Sequence, residues 1–366
     1  LDSSYREKVE KDFIVDTEWK RYSFTTPIEV NPVVLKFVFD KGTYWIDAIQ
    51  LENSPNPTEY VPSSYDKKLL SNIEENVISR GVYQITPNFS IPENRKINKT
   101  KIELKDRVLL INNNPFIPYT YSMQYSQDMN FFFKEIKKAG FNSVSFYVGS
   151  SEQIEEIKEK FVLAEESGLM VIPWLRCKTE ELPQIIPILK KSPSLLAWLV
   201  IDEPIDPFSE SVTERVSLVK KLDPEHPVYV NYRTNELRIF MDKLESLPGD
   251  IISGDEYPIA NFKWPGNVSS PGNLVKEMEK SLVKSPKIVW YWLQITGYAF
   301  MILREPTPEE FEAMTYLTLI NGAKGLLFFQ NRPRSDNLWQ KAGQIGREIA
   351  ELTPILYSSN TLSDII

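Results

Sequence analysis

The chain has 366 residues, of which 42% are hydrophobic, and its 42 basic and 50 acidic side chains leave a net charge of −8. This length favours one large domain with a smaller one beside it, and the acidic balance excludes an overall attraction to nucleic acid or to an anionic membrane. Cys177 is the single cysteine and His226 the single histidine, which excludes internal disulfides, cysteine-based metal clusters and multi-histidine sites. We expect neither a metal nor a cofactor.

The first 62 residues have the pattern of β-strands. Segments such as "WKRYSFTT", "NPVVLKFVFD" and "GTYWIDAIQLE" alternate apolar and polar residues and are separated by Pro and Gly, which is typical of half-buried strands. These strands are too few to close a sandwich, and the opening "LDSSYREKVEKDF" is not typical of a natural start. We therefore predict a partial β-sandwich domain over residues 1–62, in a chain that is a fragment or a processed product.

The end of this region carries a first resemblance. "YWIDAIQLENSPNPTEYVPS", residues 44–63, is similar to the closing strand and tail of the β-sandwich carbohydrate-binding modules that are attached to many polysaccharide-degrading enzymes. The similarity lies in Trp45, Asp47, Gln50, Leu51, Glu52, Thr58 and Tyr60. It implies a carbohydrate-binding module; the alternative is a domain that only braces its neighbour.

The pattern changes along the rest of the chain. Residues 63–105 mix charge, Asn and Pro with short β-like runs and are interpreted as a linker with some strands. Over residues 106–366 helical segments alternate with strand-like runs, which are "FIPYTY", "SVSFYV", "MVIPWL", "LAWLVI", "PVYVNY", "DIISGD", "KIVWYWLQ" and "GLLFFQ". This number and order predict an α/β fold, a (β/α)8 TIM barrel. A doubly wound open sheet is the competing architecture, but its Gly-rich phosphate turn is absent from the sequence.

Helix-end signals support this division. The segment 307–310, "TPEE", has the order of a capping box with proline at the first helical position. Gly140, Gly168 and Gly322 follow helical runs, as C-terminal caps do. His226 lies in "DPEHP" and is interpreted as a turn residue before a strand, not as a catalyst.

In such a barrel the chemistry is built at the carboxyl ends of the strands. The residues at these ends are acids, amides, aromatics and two arginines, which is a lining suited to sugar hydroxyls. The predicted substrate contacts among them are Tyr121, Tyr147, Trp174, Arg176, Asn231, Arg233, Tyr257, Gln294 and Gln330. For each of them, plain packing or a loop hydrogen bond is the alternative.

A second resemblance concerns the fourth strand. "LAWLVIDEP", residues 196–204, resembles the motif of (β/α)8-barrel glycoside hydrolases in which a Glu before Pro is the general acid/base; their largest clan has Asn where this chain has Asp202. "GDEYPI", "WLQITGYA" and the segment 304–329 are similar to a less well characterised set of hydrolase-like barrels. The resemblance implies a glycoside hydrolase with Glu203 as proton donor, and leaves the substrate sugar open.

Glycoside hydrolysis needs two carboxyl groups, about 5–5.5 Å apart for retention and about 6.5–9.5 Å apart for inversion. Glu203 lies at an apolar strand rim beside another acid, so we predict a raised pKa and the role of the acid. Asp255 or Glu256 is the predicted second carboxylate, and the resemblance favours Asp255. Asp202 supports Glu203, hydrogen-bonds the substrate or orients a substrate acetamide, as in the Asp-Glu pairs of some hexosaminidases.

One position departs from the large clan. At the end of the seventh strand that clan has a nucleophilic Glu, and this chain has Gln294, whose amide cannot act as a nucleophile. The alternative to an enzyme is therefore a non-catalytic carbohydrate-binding or scaffold protein. The strand-end acids Asp202 and Glu203 would then cap a helix or pair with Arg176 or Arg233.

The predicted partner is a carbohydrate. A run of about 18 apolar residues is absent from the sequence, so no membrane span is predicted. We expect a secreted or cell-surface location, with a cytoplasmic one as the alternative.

Overall fold

The structure, a computed structural model, describes residues 100–123, 129–259, 267–297, 304–329 and 332–357. The predicted sandwich, residues 1–62, lies outside this part of the chain, as does most of the linker. Gln330 lies outside it as well. These interpretations remain predictions.

A small antiparallel sheet comes first in the described chain. Its strands are β1 (Ile102–Lys105), β2 (Val108–Ile111) and β3 (Asn114–Pro115). Asp106 and Arg107, in the turn between β1 and β2, have φ angles of 51° and 62°. The left-handed region suits such a tight reversal.

The following eight parallel strands close into a barrel, as the sequence predicts. They are β4 (Tyr119–Met123), β5 (Ser143–Val148), β6 (Met170–Leu175), β7 (Trp198–Asp202), β8 (Val228–Arg233), β9 (Ile251–Asp255), β10 (Ile288–Gln294) and β11 (Leu326–Phe329). Each strand pairs with the next, and β11 pairs with β4 to complete the ring. Each of the eight predicted strands is confirmed.

Helices follow the strands in chain order. They are α1 (Met129–Lys138), α2 (Ile154–Glu166), α3 (Leu182–Leu189), α4 (Glu210–Leu222), α5 (Thr234–Ile239), α6 (Ser270–Ser281), α7 (Pro308–Ile320) and α8 (Asp336–Leu356). The predicted capping box is present at α7: the Thr307 hydroxyl accepts from the Glu310 N–H at 3.2 Å, and the Glu310 carboxylate accepts from the Thr307 N–H at 2.8 Å. Within the described residues, no helix has the length and apolarity to cross a membrane.

Each barrel strand separates two apolar layers. In β10 Val289, Tyr291 and Leu293 pack outward against the helices, whereas Trp290 and Trp292 pack inside the barrel. Burial on both faces explains why such strands read as nearly continuous apolar runs. Fully burying one such side chain contributes about 1.5–3 kcal/mol.

The small sheet covers the amino-terminal end of the barrel. Ile102 of β1 and Leu109 of β2 join the inner core together with Ile251 and Ile288, the first residues of β9 and β10. The opposite end, where the strands finish, is therefore the end left for a functional site.

Candidate active site

The fourth barrel strand, β7, ends in an unusual backbone conformation at Glu203. Its φ angle is 48°, which is uncommon for a residue other than glycine and stores strain. The Glu203 N–H is tied to the Asn231 carbonyl at 2.8 Å. Strand alternation ends at this residue, so Asp202 and Glu203 both lie within electrostatic range of Asp255 on β9.

Glu203 and Asp255 form a carboxyl pair at the mouth of the barrel. Their side chains are in hydrogen-bonding contact, and the Tyr257 hydroxyl also bonds to Asp255. Burial raises the pKa of Asp255 well above its usual value, and the charges of Glu203 and Asp202 raise it further. The pair therefore keeps a proton at pH values where an isolated Asp has lost it.

Asp202 is the third acid of this group. Burial raises its pKa to about 6, and the neighbouring Glu203 charge adds to this, while the hydrogen bond from Asn231 and the charges of Arg176 and Arg233 oppose it. The Asp202 carboxyl therefore changes charge close to physiological pH.

A chain of hydrogen bonds through the barrel interior ends on Asp202. The Trp292 indole N–H donates to the Tyr229 hydroxyl, Tyr229 and Ser253 share a bond of 2.8 Å, and the Ser253 hydroxyl donates to Asn231 Oδ1 at 2.5 Å. Asn231 Nδ2 then donates to Asp202 Oδ1 at 2.9 Å. Because the indole can only donate and the carboxylate can only accept, every bond has a defined direction. The orientation of the Asn231 amide is thereby fixed.

Two arginines, Arg176 and Arg233, lie close enough to the acids to lower the pKa of Asp202. Arg233 Nε donates to Glu203 Oε2 at 3.0 Å, so the ion pair expected as the structural alternative is present. Its guanidinium is half exposed, and the same Glu203 carboxyl also contacts Asp255. The Glu203 carboxyl therefore lies at the mouth of the barrel even though it is paired with Arg233.

Aromatic rings line the mouth. Tyr147 and Trp174 meet edge to face with centroids 4.7 Å apart, and Trp174 packs against Trp292 at 5.7 Å. On another part of the mouth Tyr257 stacks on Phe329 at 4.9 Å. Trp174 is only 4% exposed, so the half-buried Tyr147, Tyr257 and Phe329 are the more accessible rings at the mouth.

The structure corrects the prediction for Tyr121. Its ring is 1% exposed and packs at 5.5–5.7 Å against Phe132, Phe141 and Trp339, in the layer between the barrel and the helices. Strand alternation turns Thr120 of β4 inward instead, where it bonds to the Ser143 hydroxyl. Tyr121 is a core residue and not a substrate contact.

Glu256 is also corrected. Its carboxylate accepts from the Ser270 hydroxyl at the start of α6 at 2.7 Å, and Arg238 of α5 lies 3.9 Å away. Successive side chains along a strand point to opposite faces, so Glu256, directly after Asp255, faces the helices. Of the two expected second carboxylates, only Asp255 meets Glu203.

Gln294 is a loop anchor and not a substrate contact. Its side chain is 1% exposed, and its Oε1 accepts from the Ile259 N–H at 2.9 Å. Its Nε2 lies 3.0, 3.2 and 2.7 Å from the carbonyl oxygens of Ile259, Thr296 and Arg304. An ionised carboxylate cannot donate to these carbonyls, which is a physical reason for an amide at the end of the seventh strand.

Sequence reasoning missed Arg215, a buried arginine of α4. It donates to the carbonyls of Val200, Leu175 and Cys177 at 2.9–3.1 Å and to the Thr179 hydroxyl at 2.9 Å. It thereby joins the ends of β6 and β7 just before the acids. The sequence contains a signal for this role, because Arg215 occupies a position on the buried face of its helix.

The single histidine is in the predicted turn. His226 Nδ1 lies 2.8 Å from Asp223 Oδ2, which also accepts from the Trp198 indole at 2.8 Å. This group precedes β8 and so lies at the amino-terminal end of the barrel. Among the described residues, no cluster of three or more His, Cys, Asp or Glu is arranged to hold a metal ion.

Solved structures similar to this chain include several β-glucuronidases. That of an uncultured Clostridium sp. is 14% identical, with a TM-score of 0.49 over 68% of this chain and 53% of that one. The enzyme of Dictyoglomus thermophilum is 18% identical, with a TM-score of 0.45 over 64% and 47% of the two chains, and that of Lactobacillus rhamnosus is 18% identical, with 0.46 over 64% and 46%. The chain spans about half the length of these structures. No family model matches the chain, and no curated protein matches its sequence.

Proposed function

We propose that the chain is a glycoside hydrolase that cleaves glycosidic bonds in a poly- or oligosaccharide, with Glu203 as general acid/base and Asp255 as the second carboxylate. The observation that carries this proposal is the contact between these two carboxyl groups at the mouth of a (β/α)8 barrel. Two carboxyl groups at this end of such a barrel are the minimal equipment for the reaction. The half-buried rings beside them supply apolar faces for a sugar.

The shared proton gives the pair its two roles. Burial and the charges of Glu203 and Asp202 raise the pKa of Asp255, so the pair holds a proton in the free protein. Its transfer across the hydrogen bond to Glu203 leaves Asp255 ionised and Glu203 able to protonate the leaving oxygen. Asp202, oriented by Asn231, supports this charge arrangement or accepts a hydrogen bond from the sugar.

The contact favours retention of configuration. Inverting enzymes hold their carboxyl groups about 6.5–9.5 Å apart to admit a water molecule, whereas retaining enzymes need about 5–5.5 Å. Carboxyl groups in direct contact have to separate as the sugar enters, and retention requires the smaller separation. Asp255 would then form the covalent bond to the anomeric carbon as the leaving oxygen takes the proton from Glu203.

The test is a screen of the full chain against polysaccharides and aryl glycosides, repeated with Glu203→Gln and Asp255→Asn. Each substitution should lower kcat about 10²–10⁴-fold. Glu256→Gln is the matched control, because its carboxyl faces α6, and it should retain near-normal activity. Unchanged hydrolysis by Glu203→Gln, or an equal loss in Glu256→Gln, would remove the assigned acid.

A non-catalytic carbohydrate-binding protein is the second candidate. It is favoured by Gln294, whose amide is committed to loop backbone and cannot act as a seventh-strand nucleophile. The two functions are separated by product analysis. Binding of a saccharide by wild type and Glu203→Gln alike, without reducing ends released by either, identifies the binding protein. With either function we propose a secreted or cell-surface location, where polysaccharides are encountered.

A further inference from the structure

We propose that Arg176, held against the rings of Tyr147 and Trp174, binds an anionic substituent of the saccharide. The chemistry of that substituent is a carboxylate or a sulfate, which makes an acidic saccharide the substrate class. This inference rests on the proposed function, because it concerns a saccharide in the same mouth.

The position of Arg176 is fixed by its backbone and by the two rings. Its N–H donates to the Val148 carbonyl at 2.9 Å, which continues the pairing of β5 and β6 past the end of β6. Its guanidinium carbon lies 5.5 Å from the centroid of the Tyr147 ring and 5.6 Å from that of Trp174. Cation–π contact holds a guanidinium in place and leaves the N–H donors along its edge directed away from the rings.

The N–H donors of the Arg176 side chain are not bound by the described part of the protein. Its side chain is exposed, and among the described residues it makes no ion pair within 4.0 Å and no side-chain hydrogen bond. Arg233, on the other side of the acids, is bound to Glu203 at 3.0 Å. Of these two arginines at the mouth, Arg176 is therefore the one with donors available for a ligand.

Arg176 is also close enough to the acids to matter for a ligand bound there. Its charge stabilises the ionised form of Asp202, so the two groups lie within electrostatic range. A saccharide with its own negative charge would be repelled by Asp202 and Glu203 unless a cation beside them received that charge. Arg176 provides such a position, and a guanidinium edge matches a carboxylate or a sulfate with two parallel hydrogen bonds.

The competing role is a hydrogen bond from Arg176 to the hydroxyl of a neutral sugar. A neutral hydroxyl gains less from a guanidinium than an anion does, since hydrogen bonds to charged partners are roughly twice as strong. The two roles therefore differ in how binding depends on the charge of the saccharide and on salt.

The experiment measures binding to matched ligand pairs that differ only in the anionic group. The pairs are 4-nitrophenyl glucuronides and glucosides of both anomers, xylo-oligosaccharides with and without a glucuronic acid branch, and galactan oligosaccharides with and without sulfate. The full chain carrying Asp255→Asn, which slows turnover and leaves Arg233 bound to Glu203, is titrated by calorimetry at low and high salt. Arg176→Gln and Arg176→Lys are added to this background.

We expect tighter binding of an acidic member than of its neutral partner. Arg176→Gln should weaken the acidic member about 10- to 100-fold and leave the neutral one within about twofold, and Arg176→Lys should fall between. Arg332→Gln is the control, because Arg332 also lies over a ring, that of Trp339 at 5.4 Å, but is already paired with Asp336 at 2.8 Å. It should leave the preference unchanged. Carboxylate pairs and sulfate pairs report separately which anion is preferred.

Equal or tighter binding of the neutral members, or an acidic preference that survives Arg176→Gln, overturns the subsite and leaves the proposed function in place. Failure of the wild type to bind any member of any pair contradicts both. Thermal unfolding of each variant establishes that it is folded. If Arg176→Gln is not, the Arg176→Lys titration decides, because a point charge cannot reproduce the two-bond geometry.

Discussion

Glu203 and Asp255 hold their carboxyl groups in hydrogen-bonding contact, although Glu203 follows the fourth barrel strand and Asp255 ends the sixth. Two carboxyl groups in contact cannot both be ionised without a large repulsion, so the contact itself requires a shared proton. Asp202 adds a third acid within electrostatic range of the pair. Such a concentration of like charge lowers stability. Acids that are clustered in spite of this cost are the pattern expected of a functional site.

The loss of stability that the three clustered acids cause can be measured at Asp202. Its pKa is raised from 3.8 to about 6, so the native state binds more protons than the unfolded state between about pH 4 and pH 6. Stability therefore falls as the pH rises through this window, and above it the full penalty of about 3 kcal/mol is present. Asp202→Asn keeps an acceptor for Asn231 and removes the charge. We expect it to raise the free energy of unfolding by up to about 3 kcal/mol at pH 8, with little gain at pH 4.

Urea unfolding at pH 4, 6 and 8 checks this prediction. The control is Asp242→Asn, which removes an exposed carboxylate and should change stability by less than about 0.5 kcal/mol at each pH. An Asp202→Asn variant that is less stable than wild type at pH 8 would contradict the raised pKa of Asp202.

The hydrogen-bond chain below Asp202 gives a second prediction. Ser253→Ala removes the acceptor of the Tyr229 hydroxyl and the donor to Asn231 Oδ1, both of which are buried. We expect a loss of stability of about 1–3 kcal/mol. The Asn231 amide also loses the bond that orients it, so its hydrogen bond to Asp202 weakens. Because that bond lowers the pKa of Asp202, the pKa should rise.

An NMR titration of the Asp202 carboxyl carbon measures the pKa, and urea unfolding measures the stability. Ser145→Ala is the matched control, since the buried Ser145 hydroxyl has no hydrogen-bond partner in the described part of the chain. It should leave both quantities nearly unchanged. If Ser145→Ala and Ser253→Ala have equal effects, the directed chain does not exist.

The barrel and its acids could be predicted from the sequence because both follow from short-range sequence patterns. Each barrel strand is an apolar run bounded by turn residues, and Asp202, Glu203 and Asp255 directly follow such runs. The face of each side chain was harder to predict. Large rings such as Tyr121 and small polar residues such as Thr120 are both buried, so the usual contrast between an apolar and a polar face is missing.

Other features depend on contacts between distant parts of the chain. The left-handed φ of Glu203 is not marked by a glycine or asparagine, so no residue type signals it. The carbonyl groups around Gln294 belong to loops that follow different strands, and they are brought together only by closure of the barrel. A sequence pattern can show that Gln294 replaces a Glu, but not that loop backbone requires the amide.

The role of Gln294 is tested by giving it the charge that the large hydrolase clan has at this place. Gln294→Glu places a carboxylate against the carbonyl groups of Ile259, Thr296 and Arg304 in a site that is 1% exposed. We expect a loss of stability of about 3–5 kcal/mol at pH 8, as for an unpaired buried charge. The new Glu would have a raised pKa in the native state, so the loss should shrink as the pH falls from 8 towards about 4, where the unfolded state also becomes protonated. Because its carboxyl would face loop backbone instead of the mouth, hydrolysis should not increase.

Urea unfolding at pH 4 and 8 and the hydrolysis rate are the measurements. Gln344→Glu, the same change at an exposed position of α8, should cost less than about 0.5 kcal/mol. A Gln294→Glu variant as stable as wild type and faster in hydrolysis would instead identify this strand end as a nucleophile position.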